Sequence, residues 1–251
     1  LTPLFRMPIE IDVATDAGVE TKRVTVAKAE ETFHFALDSR PRWICVDPRD
    51  WLLMDLTIDL SKQEWLAILA ESEHVMARAA AAQALTEYRT DADARAALIQ
   101  AAADDAFWGV RQTAVESLAK FSGDETRAAL LARLADDAKS DVRRAAAKAL
   151  TELPGDEVPP ALRRAIADDR SYYVVAESLK TLAKVDADAA RDDLLAALEQ
   201  PSHFEIILSA ACEGLVELDA ADARERLLKM LADEPSAHRR RPCFACLRRR
   251  Q

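Results

Sequence analysis

Slid against itself by about 32 residues, the chain finds its own pattern again. Val110-Arg-Gln-Thr-Ala-Val-Glu-Ser-Leu118 returns as Val142-Arg-Arg-Ala-Ala-Ala-Lys-Ala-Leu150, and an earlier copy runs from Met76 through Arg78 to Leu85. Looser copies are Val174–Leu179 and Ile207–Leu215, and the closing leucines fall at Leu85, Leu118, Leu150, Leu179, Leu215 and Leu247. A period of this length, rich in Ala, Leu, Glu and Arg, is that of a pair of helices. One such pair cannot bury its apolar face alone. It gains a core only when the next pair stacks on it.

The first 60 residues obey a different period. Phe5, Met7, Ile9, Ile11 and Val13 alternate with Arg6, Glu10 and Asp12, the pattern of a strand with one face inward. Asp16-Ala-Gly18 supplies turn chemistry, and Val24 and Val26 mark a second strand. Phe33, Phe35 and Leu37 predict a third, Trp43–Val46 a fourth between Pro41 and Asp47-Pro48, and Trp51–Ile58 a fifth. Five short strands with no helix between them predict a small antiparallel sandwich over residues 1–60, incomplete at its N-terminal edge.

The helical period takes over at Ser61-Lys-Gln-Glu64, a capping-box sequence. A-type helices are expected to start near residues 62, 92, 124, 157, 188 and 221, each followed by a B-type helix carrying the repeated segment. Between them lie the pairs Asp104-Asp105, Asp136-Asp137 and Asp168-Asp169, which can cap the helix that follows. Alanine pairs in the B helices allow close helix approach. The fold expected is mostly α: a small antiparallel β-sandwich (1–60), then an α-α superhelix of HEAT-like repeats (61–251) of about six helix pairs.

Composition narrows the function. The formal charge of −10 argues against general nucleic-acid binding, which needs clustered Lys and Arg. Residues 1–60 hold seven basic and eleven acidic side chains, whereas the last fourteen residues hold six arginines and no acid. No apolar run reaches the roughly 18–20 residues of a membrane span, so no membrane partner is expected. The chain opens at Leu1 inside an apparent strand, the mark expected of a piece of a longer protein. Cys45, Cys212, Cys243 and Cys246 have irregular spacings unlike a disulfide framework, which favours a reducing cytoplasm.

Each candidate for chemistry has a plainer structural reading. Arg78, Arg111 and Arg143 recur in register and could line a groove for acidic ligands; pairing with the aspartates of adjacent turns is the expectation. Cys243-Phe-Ala-Cys246 has the spacing of half a zinc site but no second pair near it, and Cys243 falls in the small core slot of Ala211. His34, His74, His203 and His238 stand apart, with no His-Glu-x-x-His among them. Nucleophile elbow, phosphate loop and dinucleotide fingerprint are missing too. The segment His238–Gln251 reads first as the B helix of a sixth unit, with an anion-binding tail as the rival. No residue is assigned as catalytic, cofactor-binding or metal-binding.

Three stretches carry a family resemblance: Phe5-Arg-Met-Pro-Ile-Glu-Ile-Asp-Val13, Thr32-Phe-His-Phe35, and Pro41-Arg-Trp-Ile-Cys-Val-Asp-Pro-Arg-Asp-Trp-Leu-Leu53. Followed by HEAT-like helices, they are similar to the C-terminal region of aminopeptidase N-like zinc metallopeptidases. In that family such a sandwich ends in a Pro…Val-Asp-Pro…Leu-Leu segment. The family's His-Glu-x-x-His, third Glu ligand and Gly-x-Met-Glu-Asn segment lie in an upstream domain, and none occurs here. The resemblance therefore implies a chain that is not itself an enzyme, from a parent that is a zinc metallo-aminopeptidase. It also implies an upstream catalytic domain of the same polypeptide as partner, with zinc in the parent and no cofactor in this chain. The helical part would cover the catalytic cleft and limit peptide access. The alternative is a HEAT-like scaffold whose concave surface binds a peptide or another protein. A HEAT-like enzyme is a third: a chromophore lyase, a di-iron hydroxylase, whose expected His-Glu pairs are missing, or a DNA-glycosylase type, which the acidic charge disfavours.

Overall fold

The computed structural model describes residues 6–218, 221–233 and 242–243. The elements run β1 (Met7–Thr15), β2 (Gly18–Val26), β3 (Trp43–Val46), then α1 (Lys62–Glu71), α2 (Val75–Ala84), α3 (Ala92–Asp104), α4 (Trp108–Leu118), α5 (Asp124–Asp136) and α6 (Ser140–Ala149), followed by α7 (Val158–Asp168), α8 (Tyr172–Val185), α9 (Ala187–Ala197), α10 (Ile206–Glu217) and α11 (Ala221–Asp233). Short 3₁₀ turns follow α2 and α6 and precede α10. The A-type helices begin at residues 62, 92, 124, 158, 187 and 221, each within a residue of its expected start. Two compact units result, Leu1–Ser117 and Leu118–Gln251.

In the first unit, β1 is the centre of a three-stranded sheet of order β2-β1-β3, antiparallel throughout. The hairpin pairs Met7 with Val26 through to Thr15 with Gly18, whose φ of 123° is open to glycine and strained for other residues. No sandwich forms among the described residues. Residues 32–37 keep half-buried Phe33 and Leu37, yet they pair with no strand. Alternation dictates which side chains face inward but does not supply a partner backbone.

The expected fifth strand is lost for a visible reason. Asp47 and Asp50 both adopt positive φ (49° and 53°), and the Asp47 carboxylate accepts the N–H groups of Trp51 (3.2 Å) and Leu52 (2.8 Å). This tight turn carries residues 51–58 out of the ladder. The layer packed on β3 is then a helix, α1, in place of a second sheet. Asp12, expected to face solvent, is buried beneath that helical layer at 4% exposure.

The repeats owe their core to the residues that repeat. Leu85 is fully buried in the first unit, as are Leu118, Leu150 and Leu179 in the second, with Leu215 at 1%. Ala81-Ala82, Ala146-Ala147 and Ala210-Ala211 are buried too, small enough to let neighbouring helices close up. Gly214 goes further: a Cβ there would sit 2.7 Å from Leu194 Cδ2. Ser61 caps α1 as its sequence predicts, its oxygen taking the Glu64 N–H while Glu64 Oε2 takes the Ser61 N–H (2.8 Å). Phe5, His238, Cys246, Leu247 and the terminal arginines lie outside the described residues.

Candidate functional site

Arg78 and Arg143 are tied into the turns of the repeat, as expected. Arg143 grips Asp169 with two parallel bonds, Nε to Oδ2 at 2.6 Å and Nη2 to Oδ1 at 2.9 Å, and its Nη1 donates to the Asp137 carbonyl at 2.8 Å. Arg78 does the same in the first unit, to Asp105 at 2.7 and 3.0 Å and to the Ser72 carbonyl at 2.9 Å. Arg111 likewise takes the Asp105 carbonyl at 2.9 Å. Each carboxylate also accepts the N–H two residues on: Phe107 onto Asp105 (2.9 Å), Lys139 onto Asp137 (2.8 Å) and Ser171 onto Asp169 (2.8 Å). The second aspartate of each pair thus closes the A helix as its C-cap and shapes the turn before the B helix begins.

These pairs are largely buried. Side-chain exposure is 14% and 7% for Arg78 and Asp105, and 17% and 7% for Arg143 and Asp169. Burial alone would push the Asp105 and Asp169 carboxyls up. The arginine and backbone hydrogen bonds outweigh it and hold both below their ordinary value. Such an arrangement stiffens a turn. It leaves neither guanidinium fork open to an acidic ligand.

A second ladder, absent from the sequence reading, joins successive A helices. Lys62 Nζ reaches Asp91, the N-cap of α3, at 2.6 Å. Arg127 Nε meets Glu157, the N-cap of α7, at 2.6 Å, and Arg163 meets Asp193 (2.9 Å) and Asp186 (3.2 Å), the N-cap of α9. Its cations Lys62, Arg127 and Arg163 keep no common interval in the sequence, so spacing offered no signal for it.

His74 comes to β1 through the tertiary fold. Its Nε2 lies 2.9 Å from Asp12 Oδ2, while Thr21 Oγ1 donates to Asp12 Oδ1 at 2.6 Å. Thr, Asp and His are all present, but the carboxylate sits in the middle. A nucleophile must hand its proton to the base directly, and here the hydroxyl is turned to the acid instead. Beside it, Glu71 accepts Trp43 Nε1 (3.0 Å) and Arg42 Nη1 (2.6 Å). Together these contacts fasten the sheet to α1 and α2. His34 and His203 are exposed and far from this group in sequence and element.

The thiols are equally quiet. Cys45 is pushed up to about 11 by burial, with Asp12 and Asp47 adding to it, and a protonated thiol is a poor nucleophile. Cys243 is buried, as its core slot implied, with its Sγ 3.8 Å from Cys212 Sγ. Among the described residues no three His, Cys, Asp or Glu side chains converge on a metal position. Nor is any described helix long and apolar enough to cross a membrane.

The family profile for HEAT repeats matches residues 63–151, the span of α1 to α6. No curated protein matches the sequence. Among solved structures, the chain is similar to the CpcE–CpcF complex of phycocyanin lyase from Nostoc, at 24% identity over 79% of this chain and 80% of that one, with a TM-score of 0.54. It is similar to Legionella pneumophila aminopeptidase A, solved with aspartic acid, at 14% identity and a TM-score of 0.61. That match covers 96% of this chain and 35% of the other, so the chain spans about a third of that protein. The Escherichia coli protein YIBA is similar at 16% identity, over 76% and 71% of the two chains, with a TM-score of 0.55. At these identities the likeness is one of fold alone.

Proposed function

We propose that this chain is the non-catalytic C-terminal region of a zinc aminopeptidase-like protein, a brace and gate beside a separate catalytic domain. Residues 1–60 would form the joint and residues 61–251 the repeat array that limits which peptides reach the zinc. The supporting observation is the order of elements: a small sheet fastened through Trp43, Glu71, Asp12 and His74 onto the first HEAT-type helices. The 96% coverage in the aminopeptidase comparison takes in the sheet and the helices together. Zinc chemistry would reside in the catalytic domain. These residues contribute shape, rigidity and steric exclusion.

The test begins with the coding sequence ahead of Leu1, expected to encode His-Glu-x-x-His with a Glu ligand downstream. In that longer protein, shortening the repeat array should raise turnover of long peptides relative to an aminoacyl-arylamide. The isolated chain should hydrolyse no aminoacyl-arylamide with or without zinc, and zinc-dependent turnover would sink the proposal.

A second reading, a partner-binding repeat scaffold, is favoured by the likeness to a two-protein lyase complex over 79% of this chain. Further repeats ahead of Leu1, in place of a metallopeptidase helix, would decide for it.

A further inference from the structure

Beyond the proposed supporting role, the first unit carries an unassigned cavity of about 280 Å³. One wall is β3, and it is lined by Ile44, Cys45 and Val46 in succession. Consecutive residues of a strand point to opposite faces, so all three can border one cavity only where it runs along the strand's edge. That edge is open. β3 pairs with β1 alone, and in the antiparallel ladder Asp47 donates to Glu10 (2.8 Å) on the β1 side. By alternation the N–H and C=O groups of Ile44 and Val46 point the other way, toward the cavity. No backbone hydrogen bond joins them to another described segment.

The facing wall is the segment that left the sheet. Met54, Leu56, Ile58 and Leu60 line the cavity, and Trp65 and Ile68 of α1 complete it. Every second residue points in, as in extended backbone, and residues 53–60 make no backbone hydrogen bond to β3. Between the two walls lies a slot with an unpaired strand edge on one side and apolar side chains on the other. Trp51, Leu53 and Leu56 beside it are exposed at 67%, 109% and 44%. The charge around it has one sign. Asp50 lines the slot, Asp55 and Asp59 alternate with its lining residues, and Arg49 is drawn off to Glu10 and the face of Trp51.

We propose that this slot binds an extended cationic peptide segment, added as a strand along β3 with one bulky apolar side chain in the cavity. Main-chain bonds to Ile44 and Val46 supply the pairing, the cavity selects an aliphatic or aromatic residue, and the three carboxylates select lysine or arginine on either side.

The probe is a fluorescein-labelled Lys-Val-Lys-Leu-Lys pentapeptide, capped at both ends and titrated into the full chain by anisotropy. Saturable binding that weakens with added salt is expected, and binding of Glu-Val-Glu-Leu-Glu should be at least about tenfold weaker. Methylating the peptide nitrogens that would pair with β3 should cost on the order of fivefold or more, a loss that apolar adhesion alone does not produce. Ile58→Trp, which fills the cavity, and Asp50→Asn/Asp55→Asn/Asp59→Asn, which removes the charge, should each weaken binding. Leu56→Lys changes an exposed side chain and provides a second blocking variant should Ile58→Trp melt early. Equal affinity for the acidic peptide, indifference to N-methylation, or no saturable binding would each overturn the proposal. So would a concentration-dependent dimer that Leu56→Lys makes monomeric, since the occupant would then be a second copy of this chain.

Discussion

Arg143 and Asp169 show how much depends on a single pair. Removing the guanidinium leaves a carboxylate with 7% of its side chain exposed and no cation beside it. Arg143→Ala should therefore cost about 2–3 kcal/mol in urea denaturation. Lys180→Ala, which opens a pair exposed at 38% and 34%, should cost at most about 0.5 kcal/mol. The same carboxylates make stability depend on acid. Asp105 and Asp169 sit below their ordinary pKa when folded. Their contribution is complete above the unfolded carboxylate value of about 3.9 and is lost as pH falls through the lower folded value. The urea midpoint should fall as the pH drops below about 4, and less steeply in Asp169→Asn, which has one such group fewer. The arginines were legible because they recur in register. Val175 falls where α8 would carry the next one, and the turn ahead of α10 has Ser202 where the earlier turns have aspartate. Cation and acceptor are lost together. Nothing in the sequence spacing pointed to His74 and Asp12, which are 62 residues apart and meet only through packing.

Among the elements, the helices announced themselves and the strands did so only in part. A helix satisfies its own backbone, so period and cap are enough to place it, as Ser61 and Glu64 show. A strand depends on a second strand. Residues 32–37 and 51–58 have the alternation without the pairing, and the carboxylate of Asp47 diverts the latter. The hairpin offers a clean measurement. Nothing lies within 4 Å of where a Gly18 Cβ would be, so Gly18→Ala tests φ strain alone. A loss of about 1 kcal/mol is expected, and an unchanged melting midpoint would contradict it. Helix α8 touches α6, α7, α9 and α10. Its amides should exchange slowest in its unit by hydrogen-exchange mass spectrometry.

For the molecule as a whole, the repeat period and the apolar faces were settled along the chain, because each helix pair carries its own pattern and needs only a like neighbour. The leucines that close the described copies, Leu85, Leu118, Leu150, Leu179 and Leu215, are buried. Tertiary structure alone decided what the first 60 residues became. Three strands pair, the third and fifth expected strands stay out of the ladder, and a helix takes the place of the second sheet. It also decided which polar side chains meet and which backbone edge stays open. The polar side chains that meet at the junction are arranged to hold one another, and the open edge of β3 exists because a neighbouring segment turned away. Local pattern reports the preference of one segment for a conformation. A cavity or a strand edge is a relation between segments, and no single segment's sequence carries it.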